Sequence, residues 1–178
     1  MIALLKKELR LFFGSFAGYV IITGFLILNW LWLWALNTDS NILNSGFADL
    51  SQFFNSTAWL FILVVPALTM KSFSDEYQTG TIEILKTKPV SDWDLILGKF
   101  TATLVIIILM LLPTLFYAYS IFNLAMPVGN IEFGSLIGSY IGLIFLAASF
   151  ASIGLWVSSF SKSILVALLA AITVSFLV

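Results

Sequence analysis

Apolar positions in this chain fall into long blocks. Five stretches without Asp, Glu, Lys or Arg, 11–38, 50–70, 100–131, 133–161 and 163–178, alternate with short polar joints. A helix crossing the hydrocarbon core of a bilayer needs about 20 apolar residues, and four of the stretches supply that with room to tilt. The pattern predicts an all-α polytopic membrane helical bundle, a single transmembrane domain with spans over 16–36, 53–70, 95–118, 135–159 and 163–178. The last stretch has sixteen residues, about 24 Å of helix against a core of about 30 Å. Five spans therefore begin, and the fifth is expected to be incomplete.

Two of the polar joints have a period of their own. Over residues 1–13, Ile2, Leu5, Leu9, Phe12 and Phe13 fall within one sector of about 100° at helical spacing, with Lys6, Lys7 and Arg10 on the neighbouring face. This fits an amphipathic helix lying among headgroups with its basic side toward anionic lipid. It also fits a first span that starts early, its charges marking the end. Between the second and third spans, helical spacing over 73–88 puts Phe73, Tyr77, Thr81, Ile84 and Leu85 on one side. Asp75, Glu76, Thr79, Glu83 and Lys86 lie roughly opposite, the pattern of a helix lying across a surface. Ile82 and Lys88 fit neither face, so a break is expected, and Gly80 is its natural place because glycine accepts unusual backbone geometry. Lys88-Pro89 ends the segment. Ser91 and Asp94 then form a capping-box pattern that opens the third span.

Charge sharpens the picture. Residues Lys71 to Lys99 hold nine of the seventeen charged residues. The signs alternate, which disfavours a simple anionic-lipid anchor. The connector reads either as a solvated loop or as a rigid mixed-charge element presented to a protein partner. With the spans above, all eight basic residues fall on one side, whereas Asp39, Asp49 and Glu132 occupy the other. Lys and Arg mark the cytoplasmic side, so the N-terminus and connector are expected there, in a multi-pass protein of the cell inner (plasma) membrane. The first stretch is too long for a signal-peptide core and lacks a small-residue cleavage site, so it reads as a retained span.

Composition then excludes functions. Only 10% of residues are charged, against about 25% in soluble domains. Without Cys or His there is no disulfide, thiolate, imidazole or common metal ligand, and no catalytic, cofactor or metal residue is assigned. A net charge of −1 gives no case for nucleic acid. The uncharged stretches lack the intramembrane acids and lysines of proton relays, which argues against an ion-driven pump or a charged-ring channel. Asn29, the most conspicuous polar group within a span, is expected to hydrogen-bond between helices. Gly134, Gly138 and Gly142, spaced four apart, and the pair Ala147 and Ala151 are helix-packing candidates, within the chain or between subunits. Pro66 and Pro113 predict kinks, and Trp30, Trp32, Trp34 and Trp93 sit at ordinary interfacial positions.

The order Phe73, Glu76, Gly80-Thr81, Glu83, Leu85, Pro89, then Ser91, Trp93, Asp94 and Gly98-Lys99 resembles the cytoplasmic hallmark of ABC-2 type transporter permeases. Within that family it looks most like the gliding-motility-associated permeases. The resemblance implies the membrane half of an exporter, paired with a second permease chain as a homo- or heterodimer and embedded in membrane lipid. A separate cytoplasmic ABC ATPase subunit would carry ATP and Mg. The chain itself has no G-x-x-x-x-G-K-[ST] phosphate loop. By position, Glu76, Gly80, Thr81 and Glu83 would meet the ATPase, with Lys86 on the same polar face, while Phe73 and Tyr77 fix the coupling helix against the bundle. Members of the family usually have six spans, so the resemblance also implies truncation before a sixth. The alternative function is a non-transporting membrane scaffold or anchor for motility or secretion machinery.

Overall fold

The computed structural model describes residues 2–36, 42, 49–81, 91–129 and 131–177, and among these there is no strand. Helix α1 spans Ile2–Phe13, α2 Phe16–Trp30, α3 Ser51–Thr69, α4 Lys71–Gln78 and α5 Asp92–Leu111. Then come α6 at Leu115–Leu124, α7 at Phe133–Phe160 and α8 at Ile164–Leu177. A π-helical turn, Leu31–Ala35, continues α2. One 3-10 turn, Leu112–Thr114, joins α5 to α6. Four stretches are long and apolar enough to cross a membrane, Phe16–Ala35, Ser51–Gln78, Asp92–Leu124 and Phe133–Phe160, and α8 is a shorter apolar helix. The fold is the all-α, multi-pass bundle that the long apolar blocks predict.

Local chemistry sets the joints. The Ser15 hydroxyl donates to the Phe12 carbonyl at 2.9 Å and accepts from Gly18 N–H at 3.2 Å, ending α1 and capping α2 with one side chain. Ser91 caps α5: its oxygen accepts from Asp94 N–H at 3.1 Å, and its hydroxyl donates to Asp94 Oδ2 at 2.9 Å. The two prolines behave differently. Pro113 coincides with the 3-10 turn, where the Thr114 hydroxyl donates to the Leu111 carbonyl at 2.6 Å. Pro66 stays inside the regular α-helix, and the rod breaks four residues later, at Met70.

Helix α7 is the centre of the bundle, packed against α3, α8, α5 and α4, while α2 lies on α3 and α1 on α5. Burying apolar surface gives little drive between helices in lipid, so close packing and interhelical hydrogen bonds must hold them. Both are present. Phe53, Phe61, Val65, Ile107, Met110, Ala147 and Ala151 are fully buried. Asn29 is fully buried too, and its Oδ1 accepts from the Thr57 hydroxyl at 3.0 Å, linking α2 to α3 as expected. The closest approach is at Gly154. A Cβ there would overlap Thr69 Oγ1 and come within 3.0 Å of Thr69 Cβ. Along the same helix, a Cβ at Gly134, Gly138 or Gly142 would meet nothing within 4 Å. The small residues of α7 thus divide into an inward group, Ala147, Ala151 and Gly154, and an exposed glycine stripe with open space where its side chains would be.

Two alanine substitutions separate these roles. Gly154→Ala is expected to cost about 1–3 kcal/mol, the usual penalty for overpacking, read as a lower midpoint in thermal unfolding of the purified chain. Gly138→Ala, which adds a methyl group to open space and favours helix, is expected to leave that midpoint unchanged or slightly raised.

Candidate functional site

The densest polar chemistry in the bundle surrounds α4. Helices α3 and α4 are consecutive pieces of one rod, and the interruption at Met70 leaves backbone groups at the start of α4 without the bonds that a continuous helix would make. A residue on another helix replaces them. The Ser158 oxygen on α7 accepts from Phe73 N–H at 3.1 Å and Ser74 N–H at 3.2 Å, and its hydroxyl donates to the Met70 carbonyl at 3.2 Å. Ser74 Oγ lies 3.1 Å from Ser158 Oγ, and both serines are fully buried. Ser158 is therefore a cap supplied in trans, and it fixes the start of α4 to α7.

A charge network holds the other side. Lys99 lies in the second turn of α5, and its side chain is 3% exposed. Its Nζ meets Glu8 Oε1 at 3.1 Å, Glu76 Oε1 at 3.0 Å and the Ser72 carbonyl at 2.5 Å, so three acceptors surround its three N–H donors. It also lies 4.9 Å from the centre of the Phe73 ring, a cation–π contact that the low exposure strengthens. Lys7 Nζ reaches the same Glu76 oxygen at 2.9 Å and stands 3.9 Å from Glu8 Oε1. Two lysines and two glutamates from α1, α4 and α5 thus form a neutral set. Glu76 Oε2 is buried without a hydrogen-bond partner among the described residues, so this carboxylate depends on the two lysines at Oε1.

Gly98 makes the arrangement possible. A Cβ there would sit 3.0 Å from Leu4 Cβ. Its absence lets α1 lie close on α5, which brings Glu8 to Lys99. The pair Gly98-Lys99 is thus one structural unit, with the first residue admitting α1 and the second binding it.

The opposite edge of α4 is open. Tyr77, Gln78, Thr79, Gly80 and Thr81 are exposed. Thr79 closes the helix by donating both its N–H, at 2.9 Å, and its hydroxyl, at 2.8 Å, to the Asp75 carbonyl. Gly80 follows with φ +66°, the left-handed conformation that favours glycine after a helix end. Of the residues singled out on the connector, Phe73 is buried against the bundle as expected, whereas Tyr77, expected to pack beside it, is exposed one turn further on, where α4 ends, and lines the open edge with Gly80 and Thr81. Glu76, placed by helical spacing on the polar face, turns inward and is 8% exposed. Glu83 and Lys86, with the stop at Pro89, lie outside the described residues.

The clamp residues were only partly legible. Lys99 reads in the sequence as one more positive charge at a span end, and Lys7 as part of a basic helix face. The available signals were a lysine inside the apolar start of α5 and a lone acid, Glu8, among three basic residues. Ser158 carries no such signal, because a serine in an apolar helix more often bonds its own preceding turn.

Residues 17–178 match the family described as ABC-2 family transporter protein. The match takes in the connector helix, Lys99 and Ser158 but begins after α1. No curated protein and no solved structure matches the chain.

Removing one partner from a buried ion pair costs about 3–5 kcal/mol because the other charge is left uncompensated. Lys99→Met is expected to destabilise the chain by about that amount in equilibrium unfolding in mixed micelles. The double variant Lys99→Met/Glu76→Gln is expected to lose less than the sum of the two single changes, since the stranded carboxylate is gone.

Proposed function

The chain belongs to the ABC-2 family of transporter proteins, and from that premise we propose that it is the permease subunit of an exporter driven through α4 by a separate cytoplasmic ATPase. The observation that carries this reading is the two-sidedness of α4. One face is tied to α1 and α5 by the Lys7–Glu8–Glu76–Lys99 set and to α7 by Ser158. The other face, from Tyr77 through Thr81, is exposed. A short helix bound rigidly to several spans and open on its outer edge is suited to receive a push and distribute it.

In this reading the basic side of the bundle faces the cytoplasm, in the cell inner membrane. Tyr77, Gly80 and Thr81 would contact the ATPase, with Glu83 and Lys86 continuing that surface. Phe73 anchors the helix, and Glu76 acts from behind, as a positioning residue that holds α4 in register with α5. Charges on the outer edge would select the partner more than they would tighten binding. The open glycine stripe of α7, Gly134, Gly138 and Gly142, suits contact with a second permease chain in the membrane. Participation in gliding motility is the finer assignment that the connector's residue order favours.

Thr81→Trp tests the coupling. Thr81 is exposed, so the substitution is expected to leave the unfolding midpoint of the chain unchanged. In the reconstituted complex with its ATPase, ATP turnover or co-purification is expected to fall by about tenfold, the effect of losing roughly 1.4 kcal/mol at an interface. A full-length chain that binds no ATPase, or turnover indifferent to the bulky residue, would favour the scaffold function.

A further inference from the structure

A cleft of about 270 Å3 opens beside the charge network, bounded by α1, the start of α2, the end of α3, α4 and the middle of α5. Its lining changes character with depth. Glu8, Lys71, Asp75 and Lys99 border it where α1, α4 and α5 meet, whereas Ile21, Leu68 and Ile106 belong to the spans.

Most of its polar groups are already engaged. Lys99 has its three acceptors, one of them on Glu8. The hydroxyls of Ser15 and Thr103 donate to the carbonyls of Phe12 and Lys99. Two charges are not engaged. Lys71 and Asp75 are exposed and stand four residues apart on α4, so their side chains leave the same face of the helix. Neither pairs with the other or with any described residue. The mouth thus offers one unspent positive and one unspent negative group, above an apolar interior.

We infer that this cleft binds one phospholipid with a zwitterionic, primary-amine headgroup. The phosphate lies on Lys71, the ammonium on Asp75, and the first part of an acyl chain runs inward along Leu68 and Ile106. Charge complementarity selects the occupant. The four charged residues of the lining sum to zero, so an anionic headgroup gains at Lys71 but faces both Asp75 and Glu8. A choline headgroup has the right charges but no N–H for the carboxylate, whereas a primary ammonium brings three donors, as lysine does. The site stands apart from ATPase coupling, because its lipid-binding residues are not the exposed edge from Tyr77 to Thr81.

The experiment is native mass spectrometry of the full chain taken from vesicles of equal phosphatidylethanolamine, phosphatidylcholine and phosphatidylglycerol. One phosphatidylethanolamine per chain is expected, in about tenfold excess over either other lipid, the effect of one charge-assisted hydrogen bond. Ala67→Phe, which fills the cleft from α3, is expected to remove the bound lipid. Should that variant unfold, Asp75→Asn on the exposed face of α4 decides: it is expected to abolish the preference over phosphatidylcholine while leaving the unfolding midpoint unchanged. Equal retention of the three lipids, a preference for phosphatidylglycerol, or an Asp75→Asn chain that still selects phosphatidylethanolamine would overturn the assignment. No ATPase is needed for this readout, so its failure is separable from failure of the transport reading.

Discussion

Buried backbone groups must find partners, and the break at Met70 exposes several at once, inside the protein and away from water. The bundle is organised around answering that demand. Ser158 takes the two free N–H groups and the Met70 carbonyl, and Lys99 adds a contact to the Ser72 carbonyl in the first turn of α4. Each answer brings a helix with it. Ser158 can reach because α7 crosses α3 where Gly154 leaves room for Thr69, and Lys99 is held in place by Glu8 of α1 and Glu76 of α4. A lysine recruited to a buried carbonyl needs a counter-ion, and the counter-ion needs to be paired in turn.

How far this could be read beforehand depends on the kind of signal involved. Long uncharged blocks are unambiguous, because hydrocarbon tolerates only helices with satisfied backbones, and the four long stretches follow them. Short-range chemistry was equally plain: Ser91 caps α5 through Asp94, and Gly80 takes the left-handed conformation. Asn29, a single polar side chain in a greasy span, had to find a partner and found Thr57. What periodicity could not convey is which side of an amphipathic helix faces the protein. It placed Glu76 with the outward polar residues, yet Lys7 and Lys99 draw that carboxylate inside. A partner sixty-nine residues away in sequence leaves no mark on the local pattern.

The small residues of α7 carry the same lesson. Gly134, Gly138, Gly142, Ala147, Ala151 and Gly154 look alike as a motif, since all permit close approach. Their surroundings separate them. Gly154 is indispensable to one crossing with α3, while the glycines at the other end of the helix have open space where side chains would be. A spacing rule identifies helices able to pack closely without saying what they pack against.

The two attachments of α4 also differ in kind, and this has a mechanical consequence. The Ser158 contacts are directional hydrogen bonds to backbone atoms near the helix start, whose strength falls off as the angle changes. The Lys7 and Lys99 contacts are point charges on flexible stems, able to follow a moving carboxylate over some distance. One end of the helix is pinned and its middle is tethered. Were the free edge loaded as proposed, the load would be resolved chiefly into rotation about the pin, and α4 would act as a lever whose fulcrum is a single hydroxyl group on α7.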